Sequence, residues 1–324
     1  MIARVNQKML ERIDFLRPLP AEDADHDFAN GFTKTLQDVE RLAGGDLSER
    51  EILIIGCGFR YPDVALFSDR VKRVVGLDVQ EVFYRDGFRA LYRNQRRNTG
   101  SALKALYRTL GIRSGLARYY RRLRTLKGSS IDHEELELIS YDGSNMPFES
   151  DSFDIVISTA VLEHVVDMTT FVAELLRVTR PGGIGYHIYH NFYSLSGAHN
   201  PKSSYEGNPW GHLLGEVEVD PLHLNRIRID EVKDQFGALF DLAESYRLDH
   251  SHQKWSAGAQ FDEEGQEFLT EELSEKLASY PREELLTRAY LIVVKKSGSF
   301  EDLEHGSDAK LAHANASSPE GAGQ

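Results

Sequence analysis

The sequence predicts an α/β protein built on a doubly wound, Rossmann-like sheet of seven strands. Three observations carry that prediction. Glu51-Ile52-Leu53-Ile54-Ile55-Gly56-Cys57-Gly58 is a short apolar run that ends in a glycine turn. Val74-Val75-Gly76-Leu77-Asp78 follows about twenty residues later as a second such run, closed by an acid. From residue 136 to residue 189 strand-length apolar runs alternate with a helical pattern. A strand that is apolar on both faces belongs to a parallel sheet covered by helices. Strands that alternate with helices at this spacing make βαβ units.

In chain order, residues 1–45 read as an N-terminal helical segment. Phe28, Phe32, Leu36, Val39 and Leu42 share one helical face, and Gly44-Gly45 stops the helix. We expect it to pack on the edge of the main domain, which spans 46–296. The first strand runs into Gly56 and Gly58, where the backbone can turn tightly and approach a ligand closely. The second ends at Asp78, an acid placed to accept hydrogen bonds from ribose hydroxyls. A dinucleotide pyrophosphate would be crowded, because Tyr61 stands where the nicotinamide fingerprint needs a third glycine.

Residues 82–130 form a basic helical insertion after the second strand. Val82 to Lys127 holds thirteen Lys and Arg against the single acid Asp86, a local charge of +12 that leaves the remainder of the chain at −25. Apolar residues interleave with the bases, which predicts two or three short amphipathic helices broken near Asn98-Thr99-Gly100 and at Gly111 and Gly115. Such a segment either balances the chain's own acids or docks an anionic or lipid-linked partner.

Leu136 to Ser140 is the third strand. Asp142 follows it, and a strand-terminal acid before a turn can bond an adenine amino group. Ser152 to Ser158 is the fourth strand, and a helix then runs through Phe171, Leu175, Leu176 and Val178 to the break at Arg180-Pro181-Gly182-Gly183. Ile184 to Tyr189 is the fifth strand, Asp230 to Phe240 a helix, Phe240 to Leu248 the sixth strand, and Ala289 to Val294 the seventh. Residues 297–324 are rich in Gly, Ser, Ala and acids, which predicts a disordered tail.

The segment 190–228 is too long and too rich in His, Asn and aromatic residues to be a mere connection, so it is read as a substrate loop. It leaves the carboxyl end of a sheet strand, where ligands sit in such folds. A hydroxyl nucleophile needs a base, commonly a histidine or a carboxylate. His190, at the strand end, is the first candidate and His212 the second. The histidine spacings match no familiar zinc pattern, so no metal is expected. The loop's aromatic and amide side chains suit stacking and hydrogen bonding to a sugar or polyol.

Composition sets outer limits. The 324 residues, 41% hydrophobic and 10% aromatic, suit a globular fold with a substantial core. There is no apolar run long enough for a membrane span and no signal-peptide pattern at Met1. The single cysteine, Cys57, excludes an internal disulfide and fits a cytoplasmic location. A net charge of −13 argues against nucleic acid as a partner.

Taken together, Gly56-Cys57-Gly58, Asp78, Asp142-Gly143-Ser144 with Met146-Pro147-Phe148, Ser152-Phe153-Asp154, Val161-Leu162-Glu163-His164 and Arg177 through Pro181-Gly182-Gly183 resemble the motifs of class I S-adenosylmethionine-dependent methyltransferases of the type 11 group. The resemblance covers about Glu51 to Tyr189 without the basic insertion, plus two closing strands. It implies that the last strand is antiparallel to its neighbours. It also implies an S-adenosyl-L-methionine site made by Gly56, Cys57, Gly58, Asp78, Val79, Asp142, Gly143, Ser144, Ala160 and His164. Two positions depart from the family pattern: Ile54 replaces an acid before the first glycine, and Phe59-Arg60-Tyr61-Pro62 lacks the third glycine. The expected activity is methyl transfer to a small molecule or glycan, with oxygen the favoured acceptor. A lipid or quinone-like acceptor at a membrane surface is the alternative within enzymes. A non-catalytic S-adenosylmethionine-fold binding protein is the alternative outside them.

Overall fold

A computed structural model describes residues 21–141, 143–200, 207–217, 219, 223–248 and 265–297. Asp142, and all of the expected tail except Ser297, lie outside the described residues. The seven strands are β1 (Glu51–Ile55), β2 (Arg73–Asp78), β3 (Glu137–Ser140), β4 (Phe153–Thr159), β5 (Thr179–His190), β6 (Asp241–Leu248) and β7 (Ala289–Lys295). They form one sheet in the order β3-β2-β1-β4-β5-β7-β6. β7 runs antiparallel to both of its neighbours, and the pairs from β3 through β5 are parallel. The strand order reverses between β1 and β4, so the ligand crevice belongs at their carboxyl ends. Ile55 pairs with Leu77 on one side and Ser158 on the other, which sets the ends of β1, β2 and β4 level.

Helices cover both faces of the sheet. On one side lie α1 (Ala21–His26), a π-helical turn (Asp27–Phe32), α2 (Thr33–Ala43), α3 (Pro62–Phe67), α4 (Gly87–Thr99) and α5 (Ala102–Lys127). On the other lie α6 (Met168–Val178) and α7 (Ile229–Leu239), packed on Leu53, Val75, Val156 and Ile292. Gly76 inside β2 has a packing reason: a Cβ there would come within 2.8 Å of both Leu138 and Val64, so only glycine lets α3 lie this close. Of the expected N-terminal helical segment, residues 1–20 lie outside the described residues, and α1, the π-helical turn and α2 pack on this face. Phe32 meets Phe67 edge-on at 4.9 Å, Tyr119 donates to Asp27 at 2.6 Å, and Arg122 grips Asp25 at 2.5 Å.

The basic insertion differs from the sequence expectation. It is two helices, with the break at Gly100, and α5 runs unbroken through Gly111 and Gly115. Ala105, Thr109, Leu116, Tyr119, Tyr120 and Leu123 bury one continuous face of α5, and that packing outweighs the roughly 1 kcal/mol that each glycine costs a helix. β5 also begins earlier than expected, at Thr179, so Pro181-Gly182-Gly183 falls inside the strand. No described helix is long and apolar enough to cross a membrane.

Candidate active site

The crevice is built from the strand ends outward. After β1 the chain turns at Gly56, whose φ is +72°, and Gly58, whose φ is +69°. A Cβ on Gly56 would lie 2.2 Å from Val161 Cγ2, so the turn fits only without a side chain. Asp78, 6% exposed, accepts the Gly58 N–H at 2.7 Å and the Gln80 N–H at 2.9 Å. One carboxylate thereby ties the glycine turn to the end of β2. Each oxygen keeps acceptor capacity beyond those bonds. Burial and the neighbouring Asp78 push the Cys57 thiol up, so it stays protonated and acts as a small apolar residue of the turn.

The loop after β3 is fixed from two sides. Tyr141 N–H donates to the Asp78 carbonyl at 3.0 Å. Arg177 donates to the carbonyls of Phe148 and Met146 at 2.7 and 3.0 Å and pairs with Glu174, which itself accepts the Met146 N–H. The arginine before the Pro-Gly-Gly break therefore clamps the loop that carries Gly143 and Ser144. Gly143 is buried and has φ +82°. Ala160, with φ +53°, turns the chain out of β4 toward Val161. These residues fit a nucleoside: a side-chain-free turn faces a buried acid across the ends of β1 and β2.

Beyond that cradle, at the ends of β4 and β5, a cluster of ionisable groups comes together. Glu163 is 1% exposed, and neither carboxylate oxygen makes a hydrogen bond of ordinary geometry. Burial pushes its carboxyl up to about 8. His164 Nδ1 lies 2.9 Å from the His223 carbonyl, which makes it a donor there. His199 Nε2 lies 3.9 Å from Glu163 and 2.5 Å from His190 Nδ1. Burial, with cationic neighbours, lowers the His199 imidazole to about 3. His190 Nε2 meets Ser196 Oγ at 3.1 Å. Asn225 holds the β4 turn from below: its side chain donates to the carbonyls of Leu162 and Val165, and its N–H to that of Glu163.

His190, the first candidate base, thus stands against His199 and Ser196, whereas His212 lies apart from that cluster, with Arg226 as a charged neighbour. His212 Nε2 donates to the Phe192 carbonyl at 2.9 Å, and burial lowers its pKa. His187 is fully buried on the opposite face of β5 from His190, bonded to Ser158 at 2.9 Å. Glu163 and His199 were not singled out by sequence reasoning. Glu163 sits in a motif that the family resemblance assigns to the cofactor side, and His199 is one of several histidines in a long loop. The loop's aromatic residues mostly face inward. Trp210 is wholly buried beside Leu195, Leu277 and Leu286, and Phe192 is 4% exposed, so the widest expected sugar-stacking face is not on offer. Asn191 also turns inward and donates to the carbonyls of Glu284 and Thr287.

Comparison with known proteins points the same way as the fold. A methyltransferase-domain model matches residues 98–186. A Mycolicibacterium smegmatis protein named "probable S-adenosylmethionine-dependent methyltransferase" is 27% identical over 135 residues, 42% of this chain and 36% of that protein. The demethylmenaquinone methyltransferase of Streptomyces avermitilis is 39% identical over 61 residues, 19% of this chain and 26% of that one. The chain therefore spans about a third or less of these curated relatives. The S-adenosylmethionine-dependent methyltransferase structure from Mesorhizobium loti aligns with a TM-score of 0.43 at 15% identity, covering 79% of this chain and 96% of that one. The matched residues carry β3, β4 and most of β5, three of the strands whose carboxyl ends build the crevice, and over that stretch the chain is similar to methyltransferase domains.

Proposed function

We propose that the protein methylates an acceptor hydroxyl, with His190 as the base. The observation that carries this reading is the position of His190 at the carboxyl end of β5, beside the turn out of β4 that flanks the nucleoside cradle. When bound, S-adenosyl-L-methionine supplies a methyl group already activated on a sulfonium. Asp78 would hold the ribose, and the loop of Gly143 and Ser144 would meet the adenine. What the chain must add is alignment of the acceptor, exclusion of water and a place for the hydroxyl proton. His190 takes that proton as the oxygen attacks. The oxygen–hydrogen and sulfur–methyl bonds would break as the oxygen–methyl bond forms, the cofactor would leave as the neutral thioether, and the proton would pass on through Ser196. The test is a methyl-transfer screen over hydroxyl, amine and quinone acceptors, read by mass. His190→Ala should lower turnover by roughly 10²–10⁴-fold with cofactor affinity intact. Full turnover in that variant would remove His190 from the chemistry. Cofactor binding without methylated product in any acceptor class would favour a non-catalytic binding protein.

A second observation bears on where the acceptor comes from. Leu103, Leu106, Tyr107 and Leu110 of α5 are 77, 39, 81 and 55% exposed and share the face opposite the buried one. α4, packed against α5, presents Arg89, Arg93 and Arg96 at helical spacing, all exposed. Among the described residues, Arg89, Arg96, Lys104, Arg108, Arg118 and Arg121 have no acidic partner; Arg97, Arg122 and Lys127 do. An apolar stripe next to a basic one suits the headgroup boundary of an anionic bilayer. We therefore favour a lipid-linked or quinone-like acceptor over a glycan, in keeping with a relative whose name specifies demethylmenaquinone. Co-sedimentation with vesicles of anionic and of neutral phospholipid tests this: binding to neither would return the acceptor to the soluble small molecules.

A further inference from the structure

We propose that Glu163, His164 and His199 form a binding site for a divalent transition-metal cation at the carboxyl ends of β4 and β5. One ligand atom from each lies within 4.8 Å of the others. The strongest sign is Glu163. Its carboxyl group is buried, and neither oxygen makes a hydrogen bond of ordinary geometry. A buried carboxylate in that state is costly unless a cation pairs with it. Among the described residues, the basic group within ion-pair distance of it is the His199 imidazole, at 3.9 Å.

His164 is prepared as a ligand by what holds its other nitrogen, and His199 Nε2, now in contact with His190 Nδ1, would exchange that contact for the metal. His164 donates Nδ1–H to the His223 carbonyl, which leaves Nε2 with the lone pair. An imidazole anchored to a backbone carbonyl through its second nitrogen is the usual arrangement around a bound metal. His199 is brought to the cluster by a backbone in the left-handed region, φ +57°, an uncommon conformation for histidine. Its ring lies 5.1 Å from the ring of His164, nearly perpendicular to it. Asn225 pins the turn that carries Glu163 and His164, so the ligands sit on a fixed support.

Two imidazoles and one carboxylate suit zinc, manganese, iron(II), cobalt or nickel better than calcium or magnesium, which favour oxygen donors. Three protein ligands leave a coordination position open, as catalytic sites do and structural zinc sites do not. Under the methyltransferase reading, on which only this use of the site rests, the open position would receive the acceptor oxygen within reach of His190. Linear spacing gave no metal pattern because His199 arrives from the loop after β5 and Glu163 from the turn after β4.

The experiment titrates the chelator-treated full chain with zinc alone and separately with S-adenosyl-L-methionine alone, by calorimetry. Cobalt absorption serves as a spectroscopic check on ligand number. The wild type should bind one zinc per chain. Glu163→Gln, nearly isosteric, and His199→Gln, in the loop, should each weaken zinc by at least about 100-fold. Both should bind the cofactor as the wild type does, which shows that they are folded. Zinc binding that is absent in the wild type, or unchanged in both variants, would overturn the site. The two titrations separate the claims: cofactor heat without zinc heat removes the metal and leaves the methyltransferase reading intact. Zinc heat without cofactor heat does the reverse.

Discussion

Asp78 combines two tasks in one carboxylate: it fastens the Gly58 and Gln80 amides and, in the reading above, holds the ribose. Asp78→Ala should weaken the cofactor by about 1.5–3 kcal/mol, because hydroxyls and amides lose a charged acceptor. Asp78→Asn should do nearly as badly, since one of the two backbone N–H groups would then face an amide donor. Calorimetry with S-adenosyl-L-methionine on the folded variants checks both, and unchanged affinity in either would move the ribose elsewhere. Gly56 tests the shape of the same cradle. Gly56→Ala puts a side chain at φ +72° and against Val161, and should cost about 1–3 kcal/mol of stability. Adding Val161→Ala should restore the part due to the clash and leave the part due to backbone strain. A chemical-denaturation series reads both; a double variant no better than Gly56→Ala would show that strain alone matters. Both residues were legible in the sequence, because a glycine turn after a buried strand and an acid at the next strand end are local patterns. Glu163 was not legible: its significance lies in burial with no donor in ordinary hydrogen-bond geometry, and that is visible only once Asn225 and His199 have come in from other segments.

Among the elements, the strands were the easiest to read and the insertion the hardest. The central strands are short apolar runs, β6 mixes polar and apolar residues, and all seven were located to within a few residues, apart from the earlier start of β5. Gly111 and Gly115 misled because a glycine weakens a helix without ending one when the buried face continues past it. Gly111 is exposed, helical, and has nothing within 4 Å of where a Cβ would stand. Gly111→Ala should therefore stabilise the protein by about 0.5–1 kcal/mol, through helix propensity alone. Thermal or urea unfolding of the variant measures this. A loss of stability would mean that α5 is interrupted at that point in solution, as the sequence pattern first suggested. The substrate loop was legible as a functional segment but not in its contacts, since nothing local says that Trp210 turns inward to meet Leu195 and Leu286 while His199 turns toward Glu163.

At the scale of the whole molecule, the charge is divided: a +12 helical hairpin sits on a chain whose remainder carries −25. Internal neutralisation would explain the division if the bases met the acids, but among the described residues the exposed arginines of α4 have one acidic contact, Arg97 with Glu81. The exposed leucines of α5 are equally unexplained by the protein's own core. The docking to an anionic bilayer proposed above would account for both, and it separates into two measurable parts. Arg89, Arg93 and Arg96 changed together to Gln keep helix propensity and much of the stem contact while removing three charges. Each is worth about 1 kcal/mol near an anionic surface, so vesicle affinity should fall roughly 100-fold. The same loss should come from raising salt in the wild type, because the Debye length is about 8 Å at physiological ionic strength and shorter above it. Leu103→Ser with Tyr107→Ser should instead reduce binding at every salt concentration, since apolar insertion is not screened. Cofactor affinity should hold in both variants, because Gly56 and Asp78 lie at the strand ends and not on the hairpin. If the arginine variant only melts at a lower temperature and sediments with vesicles as the wild type does, the bases serve the fold. The acceptor must then reach His190 without a membrane.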